Sequence, residues 1–213
     1  MPGTIPTQNQ SLRTGRRLGL AACLALAGLP LLSRAMAQQS PLFVVTPTAE
    51  KRLATLPPGP LFWRIENFPS LAAAQSAEGP TALVVEAAGR VWMFTLGPVG
   101  GASRGGTKVA EIGPIAEIQA PQYLLRISHA SGPPGSMTPV HTHPGSEAFY
   151  VIAGESTQRT PHGVDRVGTG QSMAGHGAGM PMQVSSTGVT DLVALFAFVV
   201  DATRPFTSPA TMP

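Results

Sequence analysis

The sequence predicts an all-β fold of short antiparallel strands, on three observations. Gly 24 and Pro 22 in 213 residues put turn formers at about a fifth of the chain, with no collagen-like period. Short β-branched and aromatic stretches recur between these turn formers. From Gln38 onward no long run keeps a clean 3.6-residue period. A 43 % apolar content is enough for a packed core and excludes a chain disordered as a whole.

The elements follow in order. Strands are expected at Leu42 to Thr46, Leu61 to Ile65, Ala82 to Glu86, Val91 to Leu96, Lys108 to Ile112 and Tyr123 to Ser128. Four more are expected at Ala148 to Ala153, Ser156 to Thr160, Met182 to Ser185 and Leu192 to Val200. The last is apolar almost throughout, so it needs cover on both faces. Ala87-Ala88-Gly89 reads as a hairpin turn, and Ser70 to Ala77 as the one short helix, opened by Ser70 after Pro69. Ten short strands at this spacing suit an antiparallel sandwich or barrel.

Residues 1–37 read as a signal peptide. Arg13, Arg16 and Arg17 precede an apolar run from Leu18 to Leu32, and Ala35-Met36-Ala37 supplies a small-x-small cleavage site before Gln38. The run is too short for a membrane span, and Gly28 and Pro30 interrupt it, so no stable membrane anchor is expected. Arg16-Arg17 followed by Leu18 and Leu20 resembles a twin-arginine signal, whose pathway exports folded proteins, and Arg34 near the cleavage site agrees with it. Localisation is therefore expected to be periplasmic or secreted.

The formal charge of +3 belongs to that segment. Four of the 14 basic residues precede Gln38 and none of the 11 acids does, which leaves the remainder at −1. The case for a nucleic-acid partner goes with them. The single cysteine, Cys23, also lies there, so the remainder has neither a disulfide nor a thiolate ligand. Gly97 to Gly106 is a glycine-rich connection that reads as a boundary. Residues 38–106 are expected to form an N-terminal extension that adds strands, residues 107–204 the main barrel, and residues 205–213, with three prolines, a loose tail.

The chemistry is concentrated between Gly135 and Gly154. The spacing is Gly135, five residues, His141-Thr142-His143, three residues, Glu147, six residues, Gly154. Two histidines two apart on a strand point to one face and can converge on one ion. Pro144-Gly145 then bends the chain so that Glu147 closes a third corner. Two imidazoles and a carboxylate suit iron, manganese, nickel, copper or zinc.

This spacing resembles the first motif of the cupin superfamily, over about 95 residues of the chain. The resemblance implies a cupin-type antiparallel β-barrel, a double-stranded β-helix of jelly-roll kind, with a divalent metal in its mouth, iron or manganese favoured. It implies a metal-dependent oxygenase- or isomerase-like enzyme on a small molecule, or else a non-catalytic periplasmic module that binds or senses a metal or ligand. It also makes a homodimer an expected partner arrangement.

The second cupin motif corresponds to Gly170 through Met182 and departs from the pattern: Met182 stands where a ligand histidine is expected, and His176 where a loop proline is. His176, flanked by Gly175 and Gly177, is a candidate fourth ligand, a pH-sensitive group beside the ligands, or a plain loop histidine. Met137, Phe149, Met173 and Met182 are candidates to line the mouth or to fill the core. His129 and His162 read as surface residues.

Overall fold

The computed structural model describes residues 42–212. The signal segment expected at residues 1–37 lies outside the described residues. In chain order the elements are β1 (Val44–Leu53), β2 (Phe62–Phe68), α1 (Leu71–Ala77), β3 (Ala82–Ala87), β4 (Arg90–Gly97), β5 (Thr107–Ile112) and β6 (Tyr123–Gly132). Then come β7 (His141–Thr142), β8 (Gly145–Ala153), β9 (Glu155–Thr160), β10 (Gly163–Gly168), β11 (Ser172–Ala174), β12 (Gln183–Ser186), β13 (Leu192–Asp201) and β14 (Ser208–Pro209).

A five-stranded antiparallel sheet, β1-β6-β13-β8-β11, faces a three-stranded one, β10-β9-β12. Side chains from both fill the space between them: Phe149, Phe196, Leu192 and Leu124 from the larger sheet, Val167 and Val184 from the smaller. These two sheets make the barrel. Against its outer face packs a four-stranded sheet, β3-β4-β2-β5, through Trp63, Ile65, Val85, Trp92 and Phe94.

Strand β13 shows why its sequence is apolar throughout. Phe196 and Phe198 enter the barrel interior, while Leu195, Ala197 and Val199 join the core between barrel and outer sheet. Alternation therefore puts a buried side chain on each face. The helix α1 is opened by Ser70, whose hydroxyl accepts from the Ala73 amide at 3.2 Å. It packs with Phe68, Val91 and Met93 of the outer sheet. The hairpin between β3 and β4 turns through Ala88 and Gly89, both at positive φ.

Two boundaries differ from the sequence expectation. The division at residue 106/107 is not a division of the sheets: β1 pairs with β6 in the barrel, and β5 pairs with β2 in the outer sheet. The glycine-rich stretch is tied down by charge. Glu66, fully buried, accepts from the Ser103 amide (2.8 Å), the Ser103 hydroxyl (2.7 Å) and Arg64 Nε (3.0 Å). Burial would raise the Glu66 pKa, but the Ser103 and Arg64 hydrogen bonds outweigh it and hold it below the ordinary value.

The tail also departs from the sequence expectation. Residues 205–213 were expected to be loose, yet Ser208 pairs with Thr142 and Pro209 with His141, and the Ala210 amide donates to Val140 O at 3.1 Å. Phe206 explains the anchoring. Its ring meets Phe198 edge-on at 5.0 Å, and the Arg126 guanidinium stacks 3.7 Å from its centroid. Among the described residues, no helix is long and apolar enough to cross a membrane.

Candidate functional site

The short strand β7 is held from both sides. On one side lies β14; on the other, His141 and Met182 exchange amide-to-carbonyl hydrogen bonds of 2.9 and 2.8 Å. This clamp holds His141 and His143 at the mouth of the barrel with ring centroids 5.0 Å apart. Both line a cavity of about 510 Å³, together with Glu147, Phe43, Val184, Phe196, Phe198 and Phe206.

Each imidazole is oriented by a main-chain carbonyl. His141 Nδ1 lies 2.8 Å from Pro139 O, and His143 Nδ1 lies 2.7 Å from Phe206 O. A carbonyl only accepts, so in both rings Nδ1 carries a proton, which leaves Nε2 as the nitrogen that can offer a lone pair. This is the arrangement that metal-binding histidines adopt. His143 is wedged between the Phe198 and Phe206 rings, at 4.9 and 4.8 Å.

Glu147 reaches the same place from β8. The chain can bend there because Gly145 lies against β13, where a Cβ would stand 2.6 Å from Val200 Cα. The carboxylate is buried, with Oε2 3.7 Å from His143 Nε2 and Oε1 accepting from the Gln158 amide. That amide nitrogen is also 3.5 Å from Met182 Sδ. Burial raises the Glu147 pKa to about 7, against the lowering effect of the Gln158 hydrogen bond. Burial drives His143 the other way, down to about 4, helped by the charges of His141 and Arg126 and resisted by the Phe206 carbonyl. With His143 neutral, its contact with Glu147 at neutral pH is between dipoles or a dipole and a charge, not an ion pair.

His176 does not join the other three. It is absent from the cavity lining, and its ring lies 6.4 Å from His162, at the turn between β9 and β10. The glycine-rich loop bearing it is fixed, not free: the Gly175 amide donates to Glu147 O and the Gly179 amide to His143 O, both at 2.9 Å. Gly175 comes so close that a Cβ would sit 2.7 Å from Glu147 Cγ. Among the described residues, no three His, Cys, Asp or Glu side chains are grouped to hold a metal ion as they stand.

Met182 and Phe149 are buried below the mouth, Met173 packs at the edge of the same inner core, and Met137 is exposed. Two participants escape the motif reading, Gln158 and Phe206. The first had a faint sign in its strand: Ser156, Gln158 and Thr160 alternate as a polar row on an inward face. The second had one too, as a lone large aromatic in a proline-rich tail.

No protein-family model and no curated protein matches the chain. Among solved structures, a cupin-like protein from Thermotoga maritima is similar at 13 % identity and a TM-score of 0.37, over 41 % of this chain and 65 % of that one. A DMSP lyase from Ruegeria pomeroyi is 24 % identical with a TM-score of 0.36, over 40 % and 43 %. A cupin 2 domain-containing protein from Halorhodospira halophila is 18 % identical with a TM-score of 0.33, over 41 % and 59 %. The chain thus spans between 43 % and 65 % of the length of these three neighbours. Within the chain itself, the Gly135 to Gly154 segment that resembles the first cupin motif is carried by β7, paired with β14, and by β8 of the five-stranded sheet, in an all-β fold of antiparallel sheets.

Proposed function

We propose that this chain is an exported protein that binds a divalent transition metal at His141, His143 and Glu147 and converts a small molecule in the cavity beside them. One observation carries the reading. Two imidazoles with Nδ1 committed to carbonyls line the same cavity as a buried carboxylate, which lies 3.7 Å from His143 and forms no ion pair with Lys or Arg among the described residues. A buried carboxylate without a cation is costly, and a bound cation would offset that cost.

The donor set fits iron or manganese first, and copper, nickel or zinc as well, with positions left for water or substrate. His176 does not fit as a fourth donor. When bound, the metal supplies Lewis acidity or redox chemistry. The chain's own groups do the rest. The Pro139 and Phe206 carbonyls fix the two rings, Gln158 orients Glu147, and Phe198 and Phe206 keep water from His143. A Glu147 pKa of about 7 suits a carboxyl that holds or releases a proton at Oε2 near neutral pH. Export rests on the pattern of residues 1–37.

A second reading, a non-catalytic binding module, has one observation in its favour. Apart from His141, His143 and Glu147, the described lining holds no acid-base side chain. Elemental analysis of the protein purified from its own periplasm without added metal tests the proposal. We expect about one equivalent of iron or manganese, lost in His141→Ala and Glu147→Ala while the circular dichroism is unchanged. Copper or zinc at partial occupancy would favour carriage, and no metal in any sample would overturn the proposal.

A further inference from the structure

We propose that the cavity at the barrel mouth takes an uncharged, largely apolar molecule of aromatic-ring size with a single polar end, and turns away carboxylates and phosphates. The inference rests on reading His141, His143 and Glu147 as the reacting end of the cavity. A volume of about 510 Å³ is ample for one or two rings. Phe196 and Phe198 present rings 6.3 Å apart and nearly parallel, at 18°. Phe206 closes the corner edge-on to Phe198 at 5.0 Å and 76°. A flat apolar body placed there meets both the faces and the edges of the phenylalanine rings.

Charge decides what is excluded. Anions are recognised by guanidinium, ammonium or converging amide donors. Among the described residues that line the cavity there is no Arg or Lys, and beyond the histidine and Glu147 end the polar side chains are Thr138 and Thr207. Arg126 shares the inner face of β6 with Leu124 and Ala130, yet it is not part of the lining. Its guanidinium is stacked on Phe206 and paired with Glu50. An anion entering the cavity would leave water without gaining a guanidinium or ammonium partner from the wall.

The test uses two molecules of nearly equal shape, 4-methylacetophenone and 4-methylbenzoate. Each is titrated calorimetrically into the purified protein and into the same protein after EDTA treatment, with the metal content measured in both samples. We expect the ketone to bind at least tenfold more tightly than the carboxylate in the EDTA-treated protein. A Val45→Arg variant, at a lining position 46 % exposed, is expected to tighten the carboxylate at least tenfold.

Equal or tighter binding of 4-methylbenzoate to the EDTA-treated protein would overturn the inference. So would failure of both probes to bind at millimolar concentration, or a Val45→Arg chain that still refuses the carboxylate. A sample without metal that nevertheless prefers the ketone would overturn the proposed metal function and uphold this one. Bound metal with the preference reversed would do the opposite.

Discussion

Glu147 and His143 touch at 3.7 Å, and burial pushes their proton affinities in opposite senses. The folded Glu147 pKa, about 7, lies above its ordinary 4.5, so its share of stability is full below pH 4.5 and is lost as pH rises to about 7. The folded His143 pKa, about 4, lies below its ordinary 6.5, so its share is full above pH 6.5 and is lost as pH falls to about 4. Between pH 4.5 and 6.5 the two slopes oppose each other in the metal-free protein. Glu147→Gln should therefore make stability rise with pH over that window relative to the unaltered chain, and His143→Gln should make it fall. Urea denaturation at pH 4.5, 5.5 and 6.5 reads the difference, which at full strength is about 3 kcal/mol per group. Parallel profiles for all three proteins would contradict the burial assigned to these side chains. His141, His143 and Glu147 were all visible in the sequence because their spacing is local. Gln158 was not, because what brings it to Glu147 is the pairing of distant strands.

The element that most changes the picture is the tail. Its strand β14 pairs with the histidine strand, its Phe206 carbonyl sets the His143 tautomer, and its Phe206 ring covers that imidazole. Removing residues 205–213 should weaken metal binding by about 10- to 100-fold, as loss of a ligand's outer hydrogen-bond partner does elsewhere. The far-ultraviolet circular dichroism should remain that of the intact barrel, because the sheets close without this segment. Unchanged affinity after truncation would show that the Phe206 carbonyl does not position His143. Pro205 and Pro209 pointed to a loose end, and a two-residue pairing is too short to leave a sequence period. The same shortness hid β7 and β11. Strand β10 was missed because Gly163 and Gly168 bound a run that is mostly exposed, with one buried residue, Val167. By contrast, β13 and α1 were readable, since double burial and a serine cap each leave a direct mark on composition.

Over the whole molecule, the barrel takes its first strand from before the outer sheet, and the outer sheet covers the face of the barrel that its own interior does not bury. The fold class followed from turn density and strand composition, but this exchange did not. Gly97 to Gly106 carries the composition of a linker, while Glu66 and Arg64, which bind it to β2, lie more than thirty residues earlier in the sequence. The fold brings His141, His143 and Glu147 to the wall of one largely apolar cavity, and the metal binding proposed there should follow the ionisation of Glu147. Calorimetric titration of Mn²⁺ into the metal-free protein at pH 6 and pH 8 tests this most directly. With a Glu147 pKa of about 7, a single site should bind roughly tenfold more tightly at pH 8, and should release about one proton per metal at pH 6 and almost none at pH 8. No saturable binding, or an affinity that is the same at both pH values and in Glu147→Gln, would contradict it.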